Sequence, residues 1–194
     1  MSLLKAVEDN NLDSVIILLS RGTQTEERGK FQQTALSIAA ERGQAHILSV
    51  LLAYGASTDP VDIAGLTPLM RAALAGHERI VQMLLHHGAK VNVSAGRQTP
   101  LMFAVIGGDL SVARMLLESG AEVNATEAHG MTALMRAAQS GDVEMAKLLV
   151  SFGAEIDTRN QDGLTAVDIA TLFGNGEVLN TLADCKKYQK SVIG

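Results

Sequence analysis

Five histidines, one cysteine and a few paired carboxylates are the side chains through which this chain could ligate a metal or move a proton. The histidines are His46, His77, His86, His87 and His129. No HExxH stretch occurs, and Cys185 has no second cysteine to pair with. A zinc site needs three or four such groups converging on one point, so no metal site is expected. Phosphate chemistry fares no better. The chain has neither a GxxxxGK[ST] loop nor a GxGxxG turn, and Gly107-Gly108 reads as the end of a helix. No GxSxG elbow is present, and no serine has an evident base beside it. Glu8-Asp9 and Glu26-Glu27 are most simply solvated surface. Neither an enzyme nor a bound cofactor is therefore expected.

The bulk composition narrows the class. Of 194 residues, 47% are apolar and 19% charged, enough apolar material for a core and too little charge for a disordered chain. Sixteen basic against 21 acidic residues give a net charge of −5, and a nucleic-acid partner would want a basic face. No apolar run approaches the roughly 20 residues that span a bilayer. The first 20 residues carry acids where a signal peptide wants bases. One unpaired cysteine suits a reducing compartment, so the expected location is the cytoplasm, or the nucleus, with no membrane insertion.

The elements that would position any site come from a repeat. Thr34-Ala35-Leu36, Thr67-Pro68-Leu69, Thr99-Pro100-Leu101, Thr132-Ala133-Leu134 and Thr165-Ala166-Val167 recur at spacings of 33, 32, 33 and 33. Each is followed by an alanine (Ala39, Ala72, Ala104, Ala137, Ala170) and then a glycine (Gly43, Gly76, Gly108, Gly141, Gly174). Leucine pairs come next, at Leu51-Leu52, Leu84-Leu85, Leu116-Leu117 and Leu148-Leu149, closed by Gly-Ala. The frame extends back to Ala6 and Leu18-Leu19 and forward to Leu182. Six units result, about 1–33, 34–66, 67–98, 99–131, 132–164 and 165–183, as one domain over 1–183, with 184–194 as a tail carrying Lys186, Lys187 and Lys190. Threonine caps a first helix, with Pro68 and Pro100 at its first position. A stripe such as Ile80-Val81 and Leu84-Leu85 makes the second helix amphipathic.

This Thr-Pro-Leu-x-x-Ala pattern, with its Leu-Leu-x-x-Gly-Ala close, resembles the ankyrin repeat family over about 1–183. The resemblance implies an all-α repeat solenoid of helix-turn-helix units with short β-hairpin fingers. It implies a protein-interaction module, an adaptor, scaffold or inhibitor, that binds another protein or peptide on its concave side and is itself a monomer. The alternative is a segment serving as the targeting or regulatory part of a larger enzyme, channel or transcription regulator. Irregular fingers and the single 32-residue spacing argue against a uniform consensus-like array.

Departures from the family pattern carry the finer expectations. Histidine usually follows Thr-Pro-Leu and ties the turn; here Ser37, Met70, Met102, Met135 and Asp168 stand there, so the turn is expected to be less well tied and the methionines to fill core. Gln32 occupies a finger position where glycine is expected, and the finger before Thr99 is one residue short. The variable positions of the concave side include Phe31, Ile38, Leu66, Arg71, Leu74, Phe103, Ile106, Met131 and Arg136. These predict an apolar groove rimmed by two arginines, with Phe31 and Phe103 as anchors; packing between repeats is the competing explanation for the same apolar residues. The resemblance also marks Asn92 and Asn124 as candidates for asparaginyl hydroxylation, against the plainer reading of turn asparagines that hold backbone.

Overall fold

The computed structural model describes residues 1–96 and 98–193, with side chains as far as Lys187. Arg97 and Gly194 lie outside the described residues, as does the side chain of Lys190. Twelve helices are found among the described residues, in six pairs. The pairs are α1 (Leu3–Glu8) with α2 (Leu12–Ser20), α3 (Ala35–Glu41) with α4 (Ala45–Ala53), and α5 (Pro68–Leu74) with α6 (Glu78–His86). They continue as α7 (Pro100–Gly107) with α8 (Leu110–Glu118), α9 (Ala133–Ser140) with α10 (Val143–Ser151), and α11 (Ala166–Leu172) with α12 (Gly176–Ile193). First helices pack on first helices and second on second, so the chain is a two-layered stack.

Each first helix of the full repeats starts at a threonine. The Oγ1 atoms of Thr34, Thr67, Thr99, Thr132 and Thr165 accept the backbone N–H three residues on, at 3.2–3.4 Å. The residue that stands in for the expected histidine closes the same turn. Met70 Sδ accepts the Thr67 N–H and Met135 Sδ that of Thr132, both at 3.5 Å. Asp168 Oδ2 accepts the Thr165 N–H at 2.9 Å, and the Ser37 hydroxyl lies 3.2 Å from that of Thr34. At Thr67, Thr132 and Thr165 the turn is thus tied without the histidine, since a thioether is a weak acceptor but a buried one still satisfies a helix-end donor. At Thr99 Met102 adds no such bond to the threonine cap. Met70, Met102 and Met135 are fully buried, as core filler.

The position just before each second helix is filled in two ways. Asn11, Asp109 and Asp142 cap their own helix by accepting the N–H of Ser14, Val112 and Met145. Gln44, His77 and Asn175 instead bond to helix-end carbonyls of the preceding repeat: Val7, Glu41, and Ala138 with Gln139. His77 is thus a repeat-to-repeat tie.

Small residues decide the curvature. Ala39, Ala40, Ala72, Ala73, Ala104, Ala137, Ala138 and Ala170 are wholly buried on the first helices, whose backbones approach closely. At Gly107 a methyl group would sit 2.6 Å from the Leu74 carbonyl oxygen, so α5 and α7 touch backbone to backbone. Larger side chains, such as Leu48, Leu84, Leu116 and Leu149, fill the space between second helices, which pack less closely on one another. A stack with one tighter layer bends toward it, so the first helices line the concave side.

The fingers are tighter than the hairpins expected. Among the described residues there are no paired strands, only isolated bridges at Ala95–Gln98 and Thr126–Thr132. Each finger is a turn closed by bonds such as Asp62 N–H to Leu66 O at 3.2 Å and Gly65 N–H to Asp62 O at 2.9 Å. Gln32, in the register of Gly65, adopts φ 60°, the left-handed conformation that glycine tolerates best. Residues 184–193, set apart from the repeats as a tail, continue the last helix. Helix α12 has 18 residues, against nine in the other second helices, and runs to Ile193. No glycine or proline interrupts 184–193. Lys186 Nζ donates to Asp157 Oδ1 at 2.5 Å, fastening the helix to the last finger.

Candidate protein-binding surface

Two arginines organise the concave side. Arg71 and Arg136 occupy the same place, four residues after Thr67 and Thr132, and an acid stands nine residues before each. The Arg71 guanidinium holds Asp62 through Nε at 3.0 Å and through a second, shorter bond from Nη2. It also donates from Nη1 to Glu41 Oε2 at 2.8 Å. Arg136 Nη2 holds Glu127, and Nη1 donates to Gln139 Oε1 at 3.0 Å. Gln98 donates to the other oxygen of Glu127 at 2.8 Å. Each arginine thereby fastens a finger to its helix. Full repeats with Ile38, Phe103 or Ile169 at the arginine position carry Gly29, Ala95 (eight residues before Phe103, because that finger is one residue short) or Asn160 at the acid position, so in the full repeats the two charges occur together or not at all.

The Asp62 carboxylate is buried, and burial pushes its pKa upward. Hydrogen bonds from Arg71 and from the Leu66 and Ala64 N–H groups outweigh that, leaving the pKa below the ordinary Asp value. Asp62 Oδ1 accepts both N–H groups, at 3.0 and 2.8 Å, so the same side chain shapes the finger. Asn160 builds its finger in the same way, from the Asp162 and Leu164 N–H groups.

The nine positions expected to bind separate into three groups. Phe31, Leu74 and Ile106 are exposed. Leu66, Met131, Arg71 and Arg136 are half-buried, with the two arginine side chains 15% and 31% accessible. Ile38 and Phe103 are packed into the core, Phe103 at 8% exposure, because the slot that an arginine fills elsewhere closes over an apolar side chain. Packing between repeats thus accounts for Ile38 and Phe103, and the anchor expected of Phe103 has almost no surface to present. The arginines do not form a free basic rim either, since each is already paired with an acid.

Exposed Ile63, absent from the expected set, joins Phe31, Glu41 and Arg71 in lining a cleft of about 560 Å³ between the fingers and first helices of the first three repeats. Nothing in the sequence sets Ile63 apart, because Asp62-Ile63-Ala64-Gly65 has the residue types of a simple turn. A larger cleft, about 780 Å³, lies at the turns between helices and is lined by Gln44, His46, His77 and Arg79, among others. Among the described residues no group of three His, Cys, Asp or Glu is arranged to hold a metal, and no helix is long and apolar enough to cross a membrane.

Asn92 and Asn124 share one task. The Asn92 amide accepts the Glu122 N–H at 3.0 Å and donates to Gly120 O at 3.0 Å; Asn124 does the same with Glu155 and Gly153 at 2.9 and 3.1 Å. Glu26 and Asp59 accept the Ser57 and Lys90 N–H groups at the same step of the repeat. Asp157 takes Lys186 instead.

This architecture, with its threonine-capped inner helices and finger-to-helix ties, coincides with a known family. The family model described as ankyrin repeats (3 copies) matches residues 3–95 and 101–192. The chain belongs to the ankyrin repeat family. Among curated proteins no match is found. Ankyrin repeats are generally protein–protein interaction modules. In this ankyrin stack Phe31, Ile63, Leu74, Ile106 and Leu172 expose apolar surface on fingers and inner helices, while Ile16, Ile17, Tyr54 and Phe152 do so on or at the ends of the outer helices.

Proposed function

We propose that this ankyrin domain binds a partner protein on its concave side, as a monomeric adaptor, scaffold or inhibitor of the cytoplasm or nucleus. The observation that carries the reading is the exposure of Leu74 and Ile106. They stand in register at the ends of neighbouring inner helices, 42% and 48% accessible, and so form a pair rather than scattered single residues. Phe31 and Ile63 continue the apolar surface onto the fingers. Partner recognition of this kind draws its energy from a few apolar anchors.

The test compares the wild-type chain with Leu74→Ser/Ile106→Ser and with an outer-helix control, Lys147→Ala, as baits in cell extract. Because the changed side chains are exposed, thermal stability should move little, by about 0.5 kcal/mol or less per site. Proteins retained by wild type and by the control, and lost by the double variant, are the expected result. Retention of the same proteins by all three baits would remove the concave-side reading.

A further inference from the structure

The two arginine sites are copies of one another with a single difference. In the Arg71 site the preceding inner helix ends in Glu41, whose Oε2 receives Arg71 Nη1 at 2.8 Å. In the Arg136 site the residue in the register of Glu41 is Ile106. Arg136 therefore has one carboxylate where Arg71 has two. Its Nη1 turns to the neutral amide of Gln139 on its own helix. Its Nε is buried without a partner, whereas Arg71 Nε donates to Asp62. The Arg136 side chain is also twice as accessible as that of Arg71, 31% against 15%. Nε, being buried, lies out of a partner's reach, but Nη1, which meets only a neutral acceptor, has bonding capacity left over beside an exposed apolar patch, Leu74 and Ile106.

We propose that the Arg136 site takes a carboxylate from the partner, in the place that Glu41 fills for Arg71, while an apolar side chain next to that acid covers Leu74 and Ile106. The occupant is a protein segment in which Asp or Glu adjoins an apolar residue. The Arg71 site shows that this fold accommodates two carboxylates on one guanidinium at that slot. A guanidinium prefers carboxylates to neutral acceptors because both partners carry charge. The Arg71 site is already filled from within and does not compete. This inference rests on the concave-side reading and specifies its chemistry.

The probe is a phage-displayed library of random peptides selected on the full chain, followed by affinity measurement on C-terminally amidated copies, so that only side-chain carboxylates count. Selected peptides should carry Asp or Glu beside an apolar residue, and changing that acid to its amide should weaken binding about tenfold, as for one hydrogen bond to a charged group. Arg136→Gln should weaken the acidic peptide equally. That variant leaves the buried Glu127 carboxylate with Gln98 as donor and no cation, which perturbs the fold, so Ile106→Glu serves as the second variant. It restores the internal carboxylate of the Arg71 site, keeps Arg136, and should abolish acidic-peptide binding in a chain that melts no lower than wild type. Peptides without an acidic preference, or an Ile106→Glu chain that binds acidic peptides undiminished, would overturn the proposal. If such non-acidic peptides are still lost with Leu74→Ser/Ile106→Ser, the concave-side reading stands alone; a selection that yields no binder removes both.

Discussion

At the scale of single residues, the buried Asp62–Arg71 pair sets the register between a finger and its helix. Removing one partner from such a pair leaves the other charge buried, which costs more than the pair contributes. Asp62→Asn should therefore lower unfolding stability by about 2–3 kcal/mol, less than a fully buried break because Arg71 keeps Glu41. The pH dependence has a defined sign. Asp62 titrates below its ordinary value in the folded state, so its contribution is complete above about pH 4, the unfolded Asp value, and is lost as pH falls through the folded value. Denaturant titrations from neutral to acid pH should show the difference between wild type and Asp62→Asn shrinking only below that point. A second residue works against its fold: Gln32 stands at φ 60°, where glycine would not be strained. Gln32→Gly should raise stability by about 1 kcal/mol, read as a higher denaturation midpoint. The strained glutamine was visible in the sequence as a gap in a glycine column. The arginine–acid ties were written there too, nine residues apart, but that spacing belongs to neither the helix nor the repeat period, so periodicity alone does not expose it.

At the scale of elements, α5 and α7 depend on Gly107. Gly107→Ala would place a methyl against the Leu74 carbonyl, and the helices would have to part. A loss of about 1–3 kcal/mol is expected, in contrast to the gain of about 1 kcal/mol that Gly→Ala brings to an unencumbered helix interior; thermal unfolding distinguishes the two by sign. Sequence alone reads Gly107-Gly108 as one turn. Only Gly108 ends the helix, with φ 73°, while Gly107 serves the neighbouring helix. Fingers are joined by the amides of Asn92 and Asn124, which bond to the next repeat through both oxygen and nitrogen. With both amides held, incubation with an asparaginyl hydroxylase should leave the intact mass of the folded chain unchanged, and a mass gain of one oxygen would give these asparagines the modification that the family resemblance suggests. The helix pairs themselves were legible, because threonine, proline and glycine at fixed offsets start and stop them. The reach of α12 was not, since the repeat frame ends at 183 and says nothing about a helix that simply continues.

At the scale of the whole molecule, six units share one continuous apolar core, and each buries its face only against its neighbours. That is why a period of 33 residues sufficed to order the stack. It is also why the frame could not separate Phe103 from Ile106: both are apolar and both lie on an inner helix, and only packing decides that one is buried and the other left in water. The central claim is that partners meet this exposed inner surface. The most direct measurement replaces Leu74, in one chain, and Gln82 on the outer helix α6, in another, with a photo-crosslinking residue, and compares the proteins joined to each after illumination in cell extract. A partner crosslinked from position 74 and not from 82 is the predicted result; the same partner joined from 82 and not from 74 would place binding on the outer helices and contradict the account.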